Sequence, residues 1–89
     1  MAKYDGVKGY LLLEIEKKPE EVTLVFRDNR FVFVTSDAAD LVADDDGVEG
    51  AELETVIEGA GSMEFKFRNG KSLRVKSQSG RLQSDSIPE

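Results

Sequence analysis

The residues with the clearest potential for chemistry are the carboxylates that run from Asp44 to Asp46 and precede Gly47, as in part of a calcium-binding loop. An EF-hand loop needs Asp at its first position, Gly at its sixth and Glu at its twelfth. With Gly47 at the sixth position, the first and last positions hold Val42 and Leu53, so both anchoring carboxylates are missing. The run therefore predicts a solvated acidic segment, and no metal site is predicted.

Other catalytic chemistries lack their usual residues. The chain contains no His and no Cys, which removes the commonest general base and the thiolate nucleophile. Its glycines do not form the G-x-x-x-x-G-K-[ST] pattern that cradles phosphate. Glu14 and Glu16 project to the same side of one predicted strand, whereas a glycosidase pair faces across a cleft. We therefore predict a protein that is not an enzyme and has no cofactor.

Four basic side chains alternate along two predicted strands and form a basic stripe, defined as Lys66, Arg68, Arg74 and Lys76. The stripe is interpreted either as a solvated sheet face that discourages edge-to-edge pairing or as an anion-binding surface. Successive outward residues on a strand lie about 7 Å apart, close to the phosphate spacing of a nucleic-acid strand. No aromatic residue interleaves with the basic residues to stack bases, so nucleic acid is the less favoured partner.

An apolar face is predicted on the outward side of the first hairpin, at Val25, Phe31 and Phe33. One interpretation is that the chain itself covers this face. The candidate covering residues are Tyr4, Tyr10, Leu41, Val42 and Ile87. The other interpretation is an exposed patch that binds another protein or a second copy of this chain.

An acidic loop is predicted between the two halves of the chain. It is defined as Asp37, Asp40, Asp44, Asp45 and Asp46. Its charge is predicted to steer or complement a protein partner, because complementary charge speeds association and restricts the choice of partner.

The elements that position these residues follow from a repeat. Residues 7–37 align with residues 48–78 without a gap when the chain is shifted by 41 positions. Val7, Gly9 and Phe26, for example, recur as the same residue types at positions 48, 50 and 67. A period of this length marks one supersecondary unit used twice.

Period-two alternation predicts three strands in each repeat. The six predicted strands are residues 9–16, 21–27, 30–36, 50–58, 62–68 and 71–77. Hairpin signals at Asp28-Asn29 and Asn69-Gly70 join the second and third strand of each repeat. The fold class is therefore predicted as all-β, with six antiparallel strands in two tandem pseudo-twofold β-meander repeats. Both a small barrel and a sandwich fit this pattern.

The remaining segments are predicted to be irregular. Asp37 is a suitable N-cap, so the acidic linker 38–47 is predicted to hold a short helix or a loop. The polar C-terminal tail 79–89 is predicted to fray. The whole chain, residues 1–89, is predicted to be a single domain, because two units of this size must share one core.

The composition limits the setting and the partners. Residues 1–61 carry a net charge of −9 and residues 62–89 a net charge of +3. Absence of Cys fits a reducing compartment, and the sequence has neither the apolar run of a membrane span nor that of a signal peptide. A cytoplasmic protein without membrane contact is predicted.

The leading functional hypothesis is a small protein–protein interaction module, such as an accessory or inhibitor protein of a phage or mobile element, by analogy of composition alone. The alternatives are a nucleic-acid-binding module that uses the basic stripe and a structural subunit of an assembly.

Overall fold

The computed structural model describes residues 4–88, and every helix-or-strand element in that range is a β-strand. The strands in chain order are β1 (Leu12–Lys17), β2 (Glu21–Phe26), β3 (Arg30–Ser36), β4 (Leu41–Asp45), β5 (Leu53–Gly59), β6 (Ser62–Phe67), β7 (Ser72–Ser77) and β8 (Leu82–Ile87). Residues 1–3 and 89, which the single-domain prediction includes, lie outside the described residues. No helix within residues 4–88 is long and apolar enough to cross a membrane.

The strands form two four-stranded antiparallel sheets that exchange one strand between the two halves of the chain. The first sheet has the order β1-β2-β3-β8 and the second sheet has the order β4-β7-β6-β5. Each half therefore contributes its fourth strand to the edge of the other half's sheet. The prediction of an all-β antiparallel fold is confirmed, but the predicted count of six strands is wrong, because two short strands complete the sheets.

The strand β4 lies in the linker where the sequence predicted a short helix. It pairs with β7, with Leu41 opposite Ser77, and the Leu41 side chain is buried. The helix prediction depended on Asp37 as an N-cap, a local interaction worth about 1 kcal/mol. A backbone ladder and a buried leucine outweigh that local preference, so the helix prediction is wrong.

The strand β8 lies in the segment that was predicted to be a fraying tail. It pairs with β3 from Phe31 opposite Ile87 to Ser36 opposite Leu82. Serines occupy inward positions of this strand, and Ser86 is 3% exposed. The alternation of polar and apolar residues that would reveal a strand is therefore weak, and the prediction of a frayed tail is wrong for residues 82–87.

Matching elements of the two halves lie 41 residues apart. Strands β1, β2 and β4 begin 41 residues before β5, β6 and β8. Where the sheets meet, Gly9 N donates to Leu53 O at 2.8 Å, and Gly50 N donates to Leu12 O at 2.8 Å. Each of these hydrogen bonds is the other moved by 41 positions. We call residues 41 positions apart counterparts, and they allow the outer faces of the two sheets to be compared directly.

The two sheets pack face to face around one core. Ten inward residues of the central strands are at most 2% exposed: Val22, Leu24, Phe26, Val32, Val34, Met63, Phe65, Phe67, Leu73 and Val75. Alternation along the hairpin strands predicts all ten of these positions. Since the inward sides make the core, the opposite sides of the same strands are left as two outer faces.

Candidate functional site

The outer face of the first sheet carries a row of apolar side chains that crosses the sheet. The register places these residues side by side on β1, β2, β3 and β8: Glu14, Val25, Phe31 and Ile87. The next row along the strands is Glu16, Thr23, Phe33 and Asp85. Each row has an apolar or aromatic centre and at least one carboxylate at its edge.

Phe31 and Phe33 form the centre of this surface. They are two residues apart on β3, so they project from the same side of the strand. Their rings stack with centroids 6.0 Å apart and an angle of 20° between planes, and both side chains are half-buried. Thr23, opposite Phe33 on β2, is only 8% exposed, whereas Ile87, opposite Phe31, is 52% exposed. We call Val25, Phe31, Phe33 and Ile87 the apolar face.

Carboxylates surround the apolar face. Glu14 and Glu16 lie on the edge strand β1, Asp85 lies on the opposite edge strand β8, and all three are exposed. No residue between 4 and 88 forms an ion pair with any of the three. Glu21, half-buried on β2, accepts a long hydrogen bond of 3.5 Å from the Thr23 hydroxyl. We call Glu14, Glu16, Glu21 and Asp85 the acidic rim.

Most of the residues proposed to cover the apolar face lie elsewhere. Tyr4 is in the core, with its ring edge-on to Phe65, and Leu41 is in the core as well. Val42 is on β4, in the second sheet. Tyr10 packs beside the core, with the Arg30 guanidinium 3.9 Å from its ring centroid. Ile87 does lie at the face, where its exposed side chain enlarges the apolar surface.

The basic stripe lies on the outer face of the second sheet, where carboxylates interrupt it. Arg74 lies between Glu64, at 3.5 Å from its Nε, and Asp46, at 3.6 Å from its Nη1. Arg68 forms an ion pair with Glu52 at 2.8 Å. The exposed Lys66 and Lys76 form no ion pair with residues 4–88. A polyanion placed along this stripe would therefore meet carboxylates as well as cations.

The acidic loop does not act as one unit, because its members take part in different contacts. Asp44 and Asp46 are exposed beside Arg74 of the second sheet, and Asp37 is exposed in the turn after β3. Asp45 accepts a hydrogen bond from Lys17 Nζ at 2.6 Å and another from the Gly47 amide at 2.9 Å. The Lys17 ammonium, followed by the Gly47 amide, lowers the pKa of Asp45.

Asp40 fastens two turns together. Its carboxylate accepts hydrogen bonds from the hydroxyls of Ser36 at 2.7 Å and Ser77 at 2.8 Å, and from the Ser79 amide at 2.6 Å. Ser36 and Ser77 are counterparts that end β3 and β7. Hydrogen bonds from Ser36 and Ser79 hold the pKa of Asp40 well below its usual range.

The lowered pKa of Asp40 predicts an acid sensitivity that a neutral amide should not have. Because the folded-state pKa lies below the unfolded value of about 3.9, Asp40 stabilises the fold above that pH, and this contribution is lost as pH falls below it. Asp40→Asn is expected to lower the urea midpoint at neutral pH and to reduce the further loss below about pH 4. Asp37→Asn, in the same turn, is the control and should resemble wild type. Equal acid losses in wild type and Asp40→Asn would show that the contacts of Asp40 do not stabilise the fold.

A groove of about 400 Å³ lies at the junction between β8 and the β5-β6 turn. The Tyr4 hydroxyl bridges its walls by hydrogen bonds to Glu58, at 3.3 Å, and to Ser84. Burial is the main reason that the pKa of Tyr4 is raised to about 12. The groove offers hydroxyl groups and the carboxylate of Glu58, which suit polar contacts.

Sequence alone did not associate the acidic rim and Ile87 with the predicted apolar residues. Alternation already put Glu14 and Glu16 on one side of their strand, but it did not show which side faces outward. Asp85 and Ile87 were assigned to the tail, and only the pairing of β8 with β3 brings them beside Phe31 and Phe33. A search for short strands able to cover the free edge of β3 is the signal that could have found them.

The chain matches no protein-family model, no curated protein and no solved structure. The functional inference therefore depends on the geometry and charge of this protein itself.

Proposed function

We propose that the protein is a non-enzymatic protein-binding module whose partner docks on the apolar face. The observation that carries this proposal is the difference between counterparts in the two sheets. Val25, Phe31 and Phe33 on the first sheet correspond to Lys66, Ser72 and Arg74 on the second sheet. The fold therefore accepts polar residues at these positions, and forming a sheet does not explain the aromatic pair.

This comparison is strongest if the two halves descend from one unit. We propose a unit of four strands, used twice with an offset of 41 residues, in place of the three-strand unit predicted from sequence. The paired hydrogen bonds of Gly9 and Gly50 support this view. Under it, the core positions stayed alike while the two outer faces diverged.

The composition of the apolar face supports protein binding in particular. Exposed apolar patches bordered by polar residues mark interaction sites on proteins, and aromatic residues are enriched where proteins meet. The basic stripe supports nucleic-acid binding less well, because Arg68 and Arg74 already have carboxylate partners at 2.8 Å and 3.5 Å.

The proposal predicts that binding depends on Phe31 and Phe33. Peptides would be selected from a random display library on the immobilised wild-type protein, and their affinities measured by titration calorimetry. The variant Phe31→Ser/Phe33→Arg, which installs the counterpart residues, is expected to weaken binding more than about 100-fold, since aromatic anchors dominate interface energies. Its fold should persist, as judged by circular dichroism.

The matched control removes apolar groups from the other outer face. Val42 and Ile57 are 60% and 48% exposed on the second sheet. The variant Val42→Ser/Ile57→Ser should bind the selected peptides as wild type does. The proposal is wrong if the peptides bind Phe31→Ser/Phe33→Arg with undiminished affinity, or if selection returns no binder that distinguishes this variant from wild type.

A further inference from the structure

We infer that the occupant of the apolar face is a basic protein segment, in which an apolar or aromatic anchor is flanked by Arg or Lys side chains. This inference rests on the proposed function and specifies the chemistry of the partner. It is carried by the acidic rim, whose exposed members Glu14, Glu16 and Asp85 have no ion-pair partner among residues 4–88.

The distribution of charge on this face is one-sided. Glu14, Glu16, Glu21 and Asp85 occupy register positions on β1, β2 and β8. Arg27 is exposed just past the end of β2, beyond the paired positions. On the second sheet, by contrast, acidic residues stand directly opposite basic ones, as Asp44 and Glu64 do on either side of Arg74. The first sheet thus keeps negative charge available for a partner, whereas the second sheet largely neutralises its own.

The spacing of the rim suits cations on both sides of one anchor. Glu16 and Asp85 end the row that has Phe33 near its centre. Three steps between neighbouring strands separate the two carboxylates by about 14 Å. An anchor packed on the Phe31 and Phe33 rings would place neighbouring basic side chains toward both edges of the sheet. An arginine could reach a carboxylate while its guanidinium lies over a phenyl ring, which combines an ion pair with a cation–π contact.

The size of the face favours a segment over a large globular surface. Four strands about 4.8 Å apart, each of about six residues, give a face roughly 20 Å on a side, or about 400 Å². A stable interface between two folded proteins buries about 800 Å² on each partner. The face is therefore large enough for an extended or helical segment but small for a whole domain.

A second copy of this chain fits the same face poorly. Two copies that pack through this surface about a twofold axis would bring identical patches together. The carboxylates of Glu14, Glu16 and Asp85 would then approach their own kind, and like charges facing each other oppose association. Association of copies would require high salt to screen the repulsion.

The decisive experiment neutralises the rim and leaves the aromatic pair intact. For peptides whose binding requires Phe31 and Phe33, affinity would be compared between wild type, Glu16→Gln/Asp85→Asn and a control, Asp44→Asn/Glu49→Gln. The control removes the same charge from exposed positions away from the apolar face. We expect the selected peptides to be rich in Arg or Lys beside an apolar residue. Neutralising the rim should weaken them about tenfold, and the control should not.

Salt and sedimentation complete the test. Affinity for the selected peptides should fall as sodium chloride rises to about 0.5 M, while the chain alone should sediment as a monomer at low salt. Neutral or acidic peptides that need Phe31 and Phe33 but ignore the rim variant would overturn the basic-segment inference and leave the proposed function standing. A dimer that Phe31→Ser/Phe33→Arg dissociates would identify a second copy as the occupant and would also overturn it. Absence of any peptide that needs the aromatic pair would instead count against the proposed function.

Discussion

A chain that ends at Arg81 is expected to lose cooperative folding, because it lacks β8. Removal of residues 82–89 leaves β3 without its ladder partner at six register positions and uncovers the core beside Val32 and Val34. At about 1 kcal/mol for each net backbone hydrogen bond, the ladder alone is worth several kcal/mol. Small domains are stable by only about 5–15 kcal/mol in total, so the loss approaches the whole stability. Guanidinium titration followed by circular dichroism should show no sigmoidal transition.

Two further variants separate the strand from the length of the chain. Replacement of residues 82–87 by a Gly/Ser segment of equal length should also abolish the transition, since it supplies no strand. Gln83→Ala changes an exposed β8 residue and should unfold as wild type does. A truncated chain with a wild-type midpoint would mean that β8 does not hold the first sheet together.

The second large effect distinguishes the core from the apolar face with one residue type. Phe65 is fully buried, with its ring 6.4 Å from that of Tyr4. Phe65→Ala is expected to reduce the free energy of unfolding by about 3–5 kcal/mol, through lost transfer energy and a cavity. Phe33→Arg, which installs its counterpart residue, should cost only about 1 kcal/mol, the worth of an aromatic pair. The free energies would be measured by urea unfolding.

The size of the difference between these two variants is the informative result. Equal losses would show that Phe33 is a structural residue, and the assignment of the apolar face to a partner would then lose its basis. A small loss for Phe33→Arg together with the expected large loss for Phe65→Ala would show that the fold does not need the outer ring.

Strong alternation made the central hairpins readable from the sequence, and its absence hid the edges. In β2 and β6 every second residue is apolar, so Val22, Leu24 and their counterparts Met63 and Phe65 could be assigned to a core. In β4 and β8, Asp and Ser occupy many positions, and local capping and turn signals dominate. Those two strands exist because a distant free edge pairs with them, which a local pattern does not reveal.

The candidate site divides in the same way. That Val25, Phe31 and Phe33 share one side follows from alternation and the hairpin turn, so the sequence was sufficient to group them. The acidic rim depends on three strands meeting in a particular order, with β1 and β8 at opposite edges. The acidic loop was grouped by adjacency in sequence, but Asp40 and Asp45 make structural contacts and lie apart from the apolar face.

The exchange of β4 and β8 between the sheets also sets the order in which the protein can fold as it is made. The first three strands leave the ribosome early, yet the edge of β3 waits for β8, the last strand of the eight. Until then the nascent chain carries an unpaired strand edge and an uncovered apolar side, the two features that promote aggregation of folding intermediates. Because β3 and β8 are far apart in sequence, closing the first sheet is a long-range step, and folding should be slow for a domain of this size.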